Sequence, residues 1–136
     1  MKILAAAMFL SSLAGVKAAP PAIDYDRILA VIAEVEGGKW GESGGPCQIS
    51  YSAWSQHSRF AYQLSGTRAH CMVVLKTHIA WLSACIVRSG AKLTPEAIGT
   101  AWRFGYERAR TLKFKSDYGQ RVANLYFDRD FTKGIP

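Results

Sequence analysis

The sequence predicts a mainly α-helical protein, a single domain of about five helices with a Gly-rich loop or short hairpin after the first. Three observations point there. Apolar residues recur at helical spacing over most of the chain beyond residue 24. The periodic stretches open on Asp, Ser or Thr, and several stop on glycine. No internal repeat and no linker-like stretch divides the chain.

In chain order, the N-terminus "MKILAAAMFLSSLAGVKA" has an early Lys2, a short apolar run and small residues ending at Ala18. That is the pattern of a secretory leader, expected to be cleaved after Ala18 or Ala19. It is too short for a membrane span, which needs roughly 20 apolar residues. The domains expected are therefore a signal peptide, 1–18, and one folded unit, 19–136. No second run of spanning length is expected, hence no stable membrane insertion once the leader is gone.

The first helix should run from a cap at Asp24 to about Glu36, with Gly37 and Gly38 as its stop. Residues 37–50 then hold Gly37, Gly38, Gly41, Gly44, Gly45 and Pro46, which predicts the loop. Ser50 or Ser52 caps a short helix over "YSAWSQHS", and 59–67 is a connection. Thr67 precedes the longest pattern, "RAHCMVVLKTHIAWLSACIVRS", which ends at Gly90. Its apolar residues cover more than one face, so it is expected to be the central buried helix. Thr94-Pro95-Glu96 is a strong start signal for the next, with Ile98, Ala101 and Trp102 facing inward. Ser116-Asp117 opens the last, where Tyr118, Val122, Leu125 and Tyr126 keep helical spacing.

The formal net charge is +7, and Lys2 and Lys17 leave with the leader. A basic exported domain suits an anionic partner. The cations are scattered apart from a mild concentration at 103–115, without repeated aromatic interleaving, so no nucleic acid partner is expected. Of the three cysteines, Cys71 and Cys85 fall on one predicted helix about 21 Å apart, too far for a disulfide. Cys47 bonded to either, or three unpaired buried thiols, both remain open. The cysteines and His57, His70 and His78 have no metal-ligand spacing, so no metal is expected.

Glu36 stands out. Stepping back by helical spacing gives Ala33, Ile32 and Leu29, an apolar stripe, whereas Glu34 follows the more mixed Val31, Ala30 and Arg27. A carboxyl ending a buried stripe is partly desolvated and sits at the negative end of its helix. Both favour the protonated form that a general acid needs.

The neighbours sharpen this. Glu36-Gly37-Gly38, then a Gly-rich loop closing on Gly45-Pro46-Cys47-Gln48-Ile49, then "AWRFG" at 101–105, then Tyr118 and Val122, resemble in order and spacing the lysozyme-like superfamily. Within it the chain is most similar to soluble lytic transglycosylases and goose-type lysozymes, over about 25–126. The resemblance implies a lysozyme-like fold with Glu36 as the catalytic acid/base. It implies Gln48, Trp102, Tyr106 and Tyr118 as substrate-binding residues. The substrate implied is the β-1,4 glycan of peptidoglycan, cut by an exported monomer, periplasmic or extracellular, with no cofactor. A single glutamate suffices for transglycosylation, in which the muramyl 6-hydroxyl closes an anhydro ring; Glu42 is the sole nearby candidate for a second acid.

Two departures stand against the family pattern. The Ser that usually follows the glutamate is Gly37, and its Tyr-Asn pair is Trp102-Arg103, with Tyr106 a candidate to restore the lost hydroxyl. Trp40 and Trp54 are further candidates to stack on sugar rings. The alternative function is a secreted protein that binds cell wall without cutting it.

Overall fold

A computed structural model describes residues 22–135; the leader expected at 1–18 lies outside them. Six α-helices and one 3-10 turn account for the secondary structure, and the described residues contain no strand. The helices are α1 (Tyr25–Glu36), α2 (Tyr51–His57), α3 (Arg68–Arg88), α4 (Pro95–Phe104), α5 (Tyr106–Thr111) and α6 (Asp117–Phe127), with the 3-10 turn Tyr62–Gly66 before α3. The chain is thus mainly α, with one helix more than expected. The Gly-rich segment after α1 is a succession of turns rather than a hairpin.

Side-chain caps set four of the helix starts. Asp24, Ser50, Thr94 and Ser116 each accept a hydrogen bond from the backbone N–H three residues on, which satisfies a donor the helix leaves open. Thr67 stands at the cap position of α3 but makes no such bond. α1 ends as Gly37 turns left-handed (φ 67°) and its N–H returns to the Ala33 carbonyl. At Gly105 (φ 81°, ψ 156°) the chain leaves helical geometry, so 95–111 becomes α4 and α5 rather than one rod.

The helix buried on every side is α1, where six consecutive residues, Ile28 to Ala33, are buried. α3 was expected in that place, yet it buries one side through Cys71, Val74, Leu75, His78, Ile79, Leu82 and Ile86. Its other side exposes Val73 and Val87, and those exposed apolar residues make its pattern look buried all round. α3 is also long and apolar enough by composition to cross a membrane, which corrects the expectation that no such run follows the leader. Half of its most apolar stretch is buried inside the fold.

α4 packs most extensively on α6, and α1 lies against both α6 and α3. Arg27 of α1 ties down the chain after α6. Its guanidinium donates to the carbonyls of Tyr126 (2.7 Å), Asp128 (2.6 Å) and Phe131 (2.8 Å). The three cysteines are free and buried, with Cys47 donating to the Leu29 carbonyl at 3.3 Å. Burial pushes the Cys71 thiol up to about 11, and the Cys47 thiol higher still with help from nearby Cys71 and Glu36, so both remain neutral.

Candidate active-site cleft

Glu36 is half-buried at the last position of α1, where the buried stripe of the helix reaches the surface. The loop that follows folds back on itself and brings Gln48 to the same cavity. The Gly38 N–H donates to the Pro46 carbonyl (3.2 Å) and the Ile49 N–H to Gly44 (3.0 Å), while the Gly44 N–H reaches the Ser65 hydroxyl (2.6 Å). Gln48 adopts a left-handed conformation (φ 52°), and its side-chain amide donates to the Gly45 carbonyl at 2.8 Å. That bond leaves its amide oxygen free to accept from a ligand.

The result is an open cavity of about 260 Å³, whose lining includes Glu36, Gln48, Ser50, His78, Trp102 and Arg103. A second cavity of about 400 Å³ adjoins it, sharing Ser50, His78, Trp102 and Arg103 and adding Trp81 and Tyr106. Together they form a groove with Glu36 toward one end.

On the far side of Glu36, the Tyr118 hydroxyl donates to its Oε1 at 2.7 Å. Burial raises the Tyr118 pKa first, and the hydrogen bond to Glu36 and the charge of that carboxylate add to it; the Arg103 charge pulls the other way. Tyr118 therefore keeps its proton and donates a hydrogen bond to the carboxyl. With Oε1 held, Oε2 is the oxygen left to exchange a proton with a ligand.

The candidate residues divide accordingly. Glu36, Gln48 and Trp102 line one cavity, and Tyr118 touches it through Glu36. Tyr106 lines the adjoining cavity and packs beside Phe114, ring centroids 6.1 Å apart, so the hydroxyl on Glu36 comes from Tyr118 and not from Tyr106. Trp102 serves core and cleft together, half-buried against the core with its ring 5.5 Å from that of His78. Trp54 is a core residue, 1% exposed, with its indole N–H on the Phe60 carbonyl. Trp40 is half-buried against the core with Arg68 over its ring. Glu42 is exposed and lines neither cavity. Among the described residues, no three His, Cys, Asp or Glu side chains come together as metal ligands.

His78 is the cleft residue that sequence reasoning passed over. Its Nδ1 lies 2.9 Å from His57 Nε2, and its ring stacks on Trp81, centroids 5.9 Å apart. Burial, and the neighbouring His57, lower its pKa to about 4. The usable signal was its place on the buried stripe of α3, four residues before Leu82.

No family model, curated protein or solved structure matches the chain.

Proposed function

We propose that the chain is an exported enzyme that cleaves the β-1,4 bond between N-acetylmuramic acid and N-acetylglucosamine in peptidoglycan, with Glu36 as general acid and then base. One observation carries this reading: a half-buried carboxyl at the wall of a polar groove, with one oxygen held by a tyrosine hydroxyl. The order of the glycine, glutamine and tyrosine motifs in the sequence supports it, and the leader-like pattern of residues 1–18 supports a periplasmic or extracellular site of action.

Cleavage needs a proton on a poor leaving oxygen while positive charge develops on the muramyl ring. Protonated Glu36 gives that proton to the glycosidic oxygen from Oε2 as the C1–O bond breaks. The resulting carboxylate then takes the proton of the muramyl 6-hydroxyl, whose oxygen closes on C1 to give the 1,6-anhydro product. Water in place of that hydroxyl gives hydrolysis instead. Glu36 is the sole carboxylate among the described cleft-lining residues, which favours the one-acid route. Gln48 and the Trp102 ring supply a hydroxyl acceptor and an apolar face for the sugars.

Glu36→Gln preserves shape and removes the titrating proton. It should lower turnover of purified peptidoglycan by at least about 10²-fold. Glu34→Gln serves as the control, since Glu34 is an exposed residue paired with Lys133 at 3.1 Å. Mass spectrometry of the released muropeptides reads the product, anhydro or hydrolysed. Wild-type turnover by both variants would sink the assignment. A second reading, binding without cleavage, is favoured by Arg103 at the position where the family carries Asn. Wild-type protein that binds the glycan without turnover would select it.

A further inference from the structure

We propose that Arg103 binds the free lactyl carboxylate of muramic acid, so that the cleft selects glycan strands stripped of their stem peptides. This rests on the peptidoglycan reading of the same cleft and names the form of substrate it takes.

Arg103 lines both adjoining cavities. Its guanidinium lies over the Tyr118 ring, 6.0 Å from the centroid, and makes no hydrogen bond or ion pair to any described residue; the three ion pairs among the described residues join others. The Glu36 carboxyl that shares its cavity is engaged by Tyr118 instead. A guanidinium has five donors in a fixed fork that matches a carboxylate. Here that fork lines a groove whose one carboxyl, Glu36, is hydrogen-bonded to Tyr118 and not to Arg103.

A neutral glycan would leave it unmatched. In peptidoglycan the sugar amines are acetylated, and the glycan itself carries one kind of ionisable group, the lactyl carboxyl on muramic acid. In peptide-bearing strands that carboxyl is an amide and uncharged. It becomes a carboxylate only when the peptide is removed. The lactyl ether is on C3 of the same ring whose C1–O bond is cut, and Arg103 lies against the Tyr118 ring whose hydroxyl holds Glu36. One muramyl unit can thus present C1 to Glu36 and its C3 lactyl group to Arg103 within the cavity that both line.

Denuded glycan strands and the same strands with the lactyl carboxyl converted to its methylamide differ only in this charge. Binding is measured with Glu36→Gln protein, so that cleavage does not interfere, and turnover with wild type. The acid strands should bind about three- to tenfold more tightly than the methylamide strands, the range for one partly solvated charge-assisted contact. The preference should shrink at 0.5 M salt. Adding Arg103→Gln should abolish it, while Arg103→Lys, which retains the charge without the fork, should keep part of it. Equal affinity for the two strands, or a preference that survives Arg103→Gln, overturns the proposal even if wild type cuts both. Discrimination by binding without turnover of either strand leaves Arg103 assigned and removes the cleavage reading.

Discussion

The Tyr118 hydroxyl donates to Glu36 Oε1 at 2.7 Å, joining the first turn of α6 to the last residue of α1 across 82 positions of sequence. It fixes which carboxyl oxygen faces the cleft. Without it the carboxyl could rotate, and both oxygens would compete for water and ligand. The packing of α1 on α6 brings the two together, so the most buried helix of the fold also delivers its end to the site.

Tyr118→Phe tests that relationship. The ring stays, the hydroxyl goes, and the fold should lose about 1 kcal/mol, as expected for one partly buried hydrogen bond. Turnover of purified peptidoglycan should fall about tenfold, less than for Glu36→Gln, because the acid remains but is no longer held. Urea unfolding and initial rates measure the two effects. A variant as active as wild type would reduce Tyr118 to a packing residue.

Gly38 supports the same site from the loop. A β-carbon there would run into the Gly45 carbonyl oxygen and the Gln48 amide nitrogen, and would lie 3.0 Å from the Pro46 carbonyl oxygen. Two of these are backbone atoms, so the loop itself must move. Gly38→Ala should cost about 1–3 kcal/mol, the range for overpacking, and should displace Gln48. Gly37→Ala is the comparison: it meets nothing within 4 Å and bears only the strain of a left-handed backbone, about 1 kcal/mol. If unfolding shows Gly37→Ala to be the costlier change, the close approach at Gly38 is not what shapes the loop.

The features legible in the sequence are those decided locally. Asp24, Ser50, Thr94 and Ser116 announce their helices because a cap is a bond over three residues, and Gly37 announces a stop because few residues adopt its φ. Glu36 was legible because its stripe of Leu29, Ile32 and Ala33 is a property of one helix. The Tyr118 contact was not, since its direction depends on how α6 lies against α1. Tyr106 was a poor guide for the same reason: Gly105 breaks the helix before it and turns it toward the second cavity. His78 was hidden by its neighbours, because a histidine among buried apolar residues reads as core until the groove beside it is known.

His78 contributes a pH dependence to stability. It is 7% exposed, stacked on Trp81, with Nδ1 2.9 Å from His57 Nε2. In the neutral pair one nitrogen donates and the other accepts. If both rings were charged, two N–H groups would face each other. Burial first, and His57 second, place the folded-state pKa at about 4 against 6.5 for the free side chain. Between those values the unfolded chain binds the proton and the folded chain does not, so stability falls as pH falls. The contribution is intact above pH 6.5 and is lost progressively down to about pH 4. At one pKa unit per 1.36 kcal/mol, the full loss is on the order of 3 kcal/mol. Carboxylates also titrate in acid, so the measurement must be differential. Urea unfolding of wild type and His78→Gln at pH 7.5 and pH 4.5 supplies it: wild type should lose more stability between the two, by about 2 kcal/mol or more. His78→Gln is expected to be less stable than wild type at pH 7.5, where the histidine pair is intact, and to close much of that gap at pH 4.5. Equal losses in the two proteins would mean that His78 accepts its proton in the folded state as readily as in the unfolded one, and that the histidine pair does not resist acid.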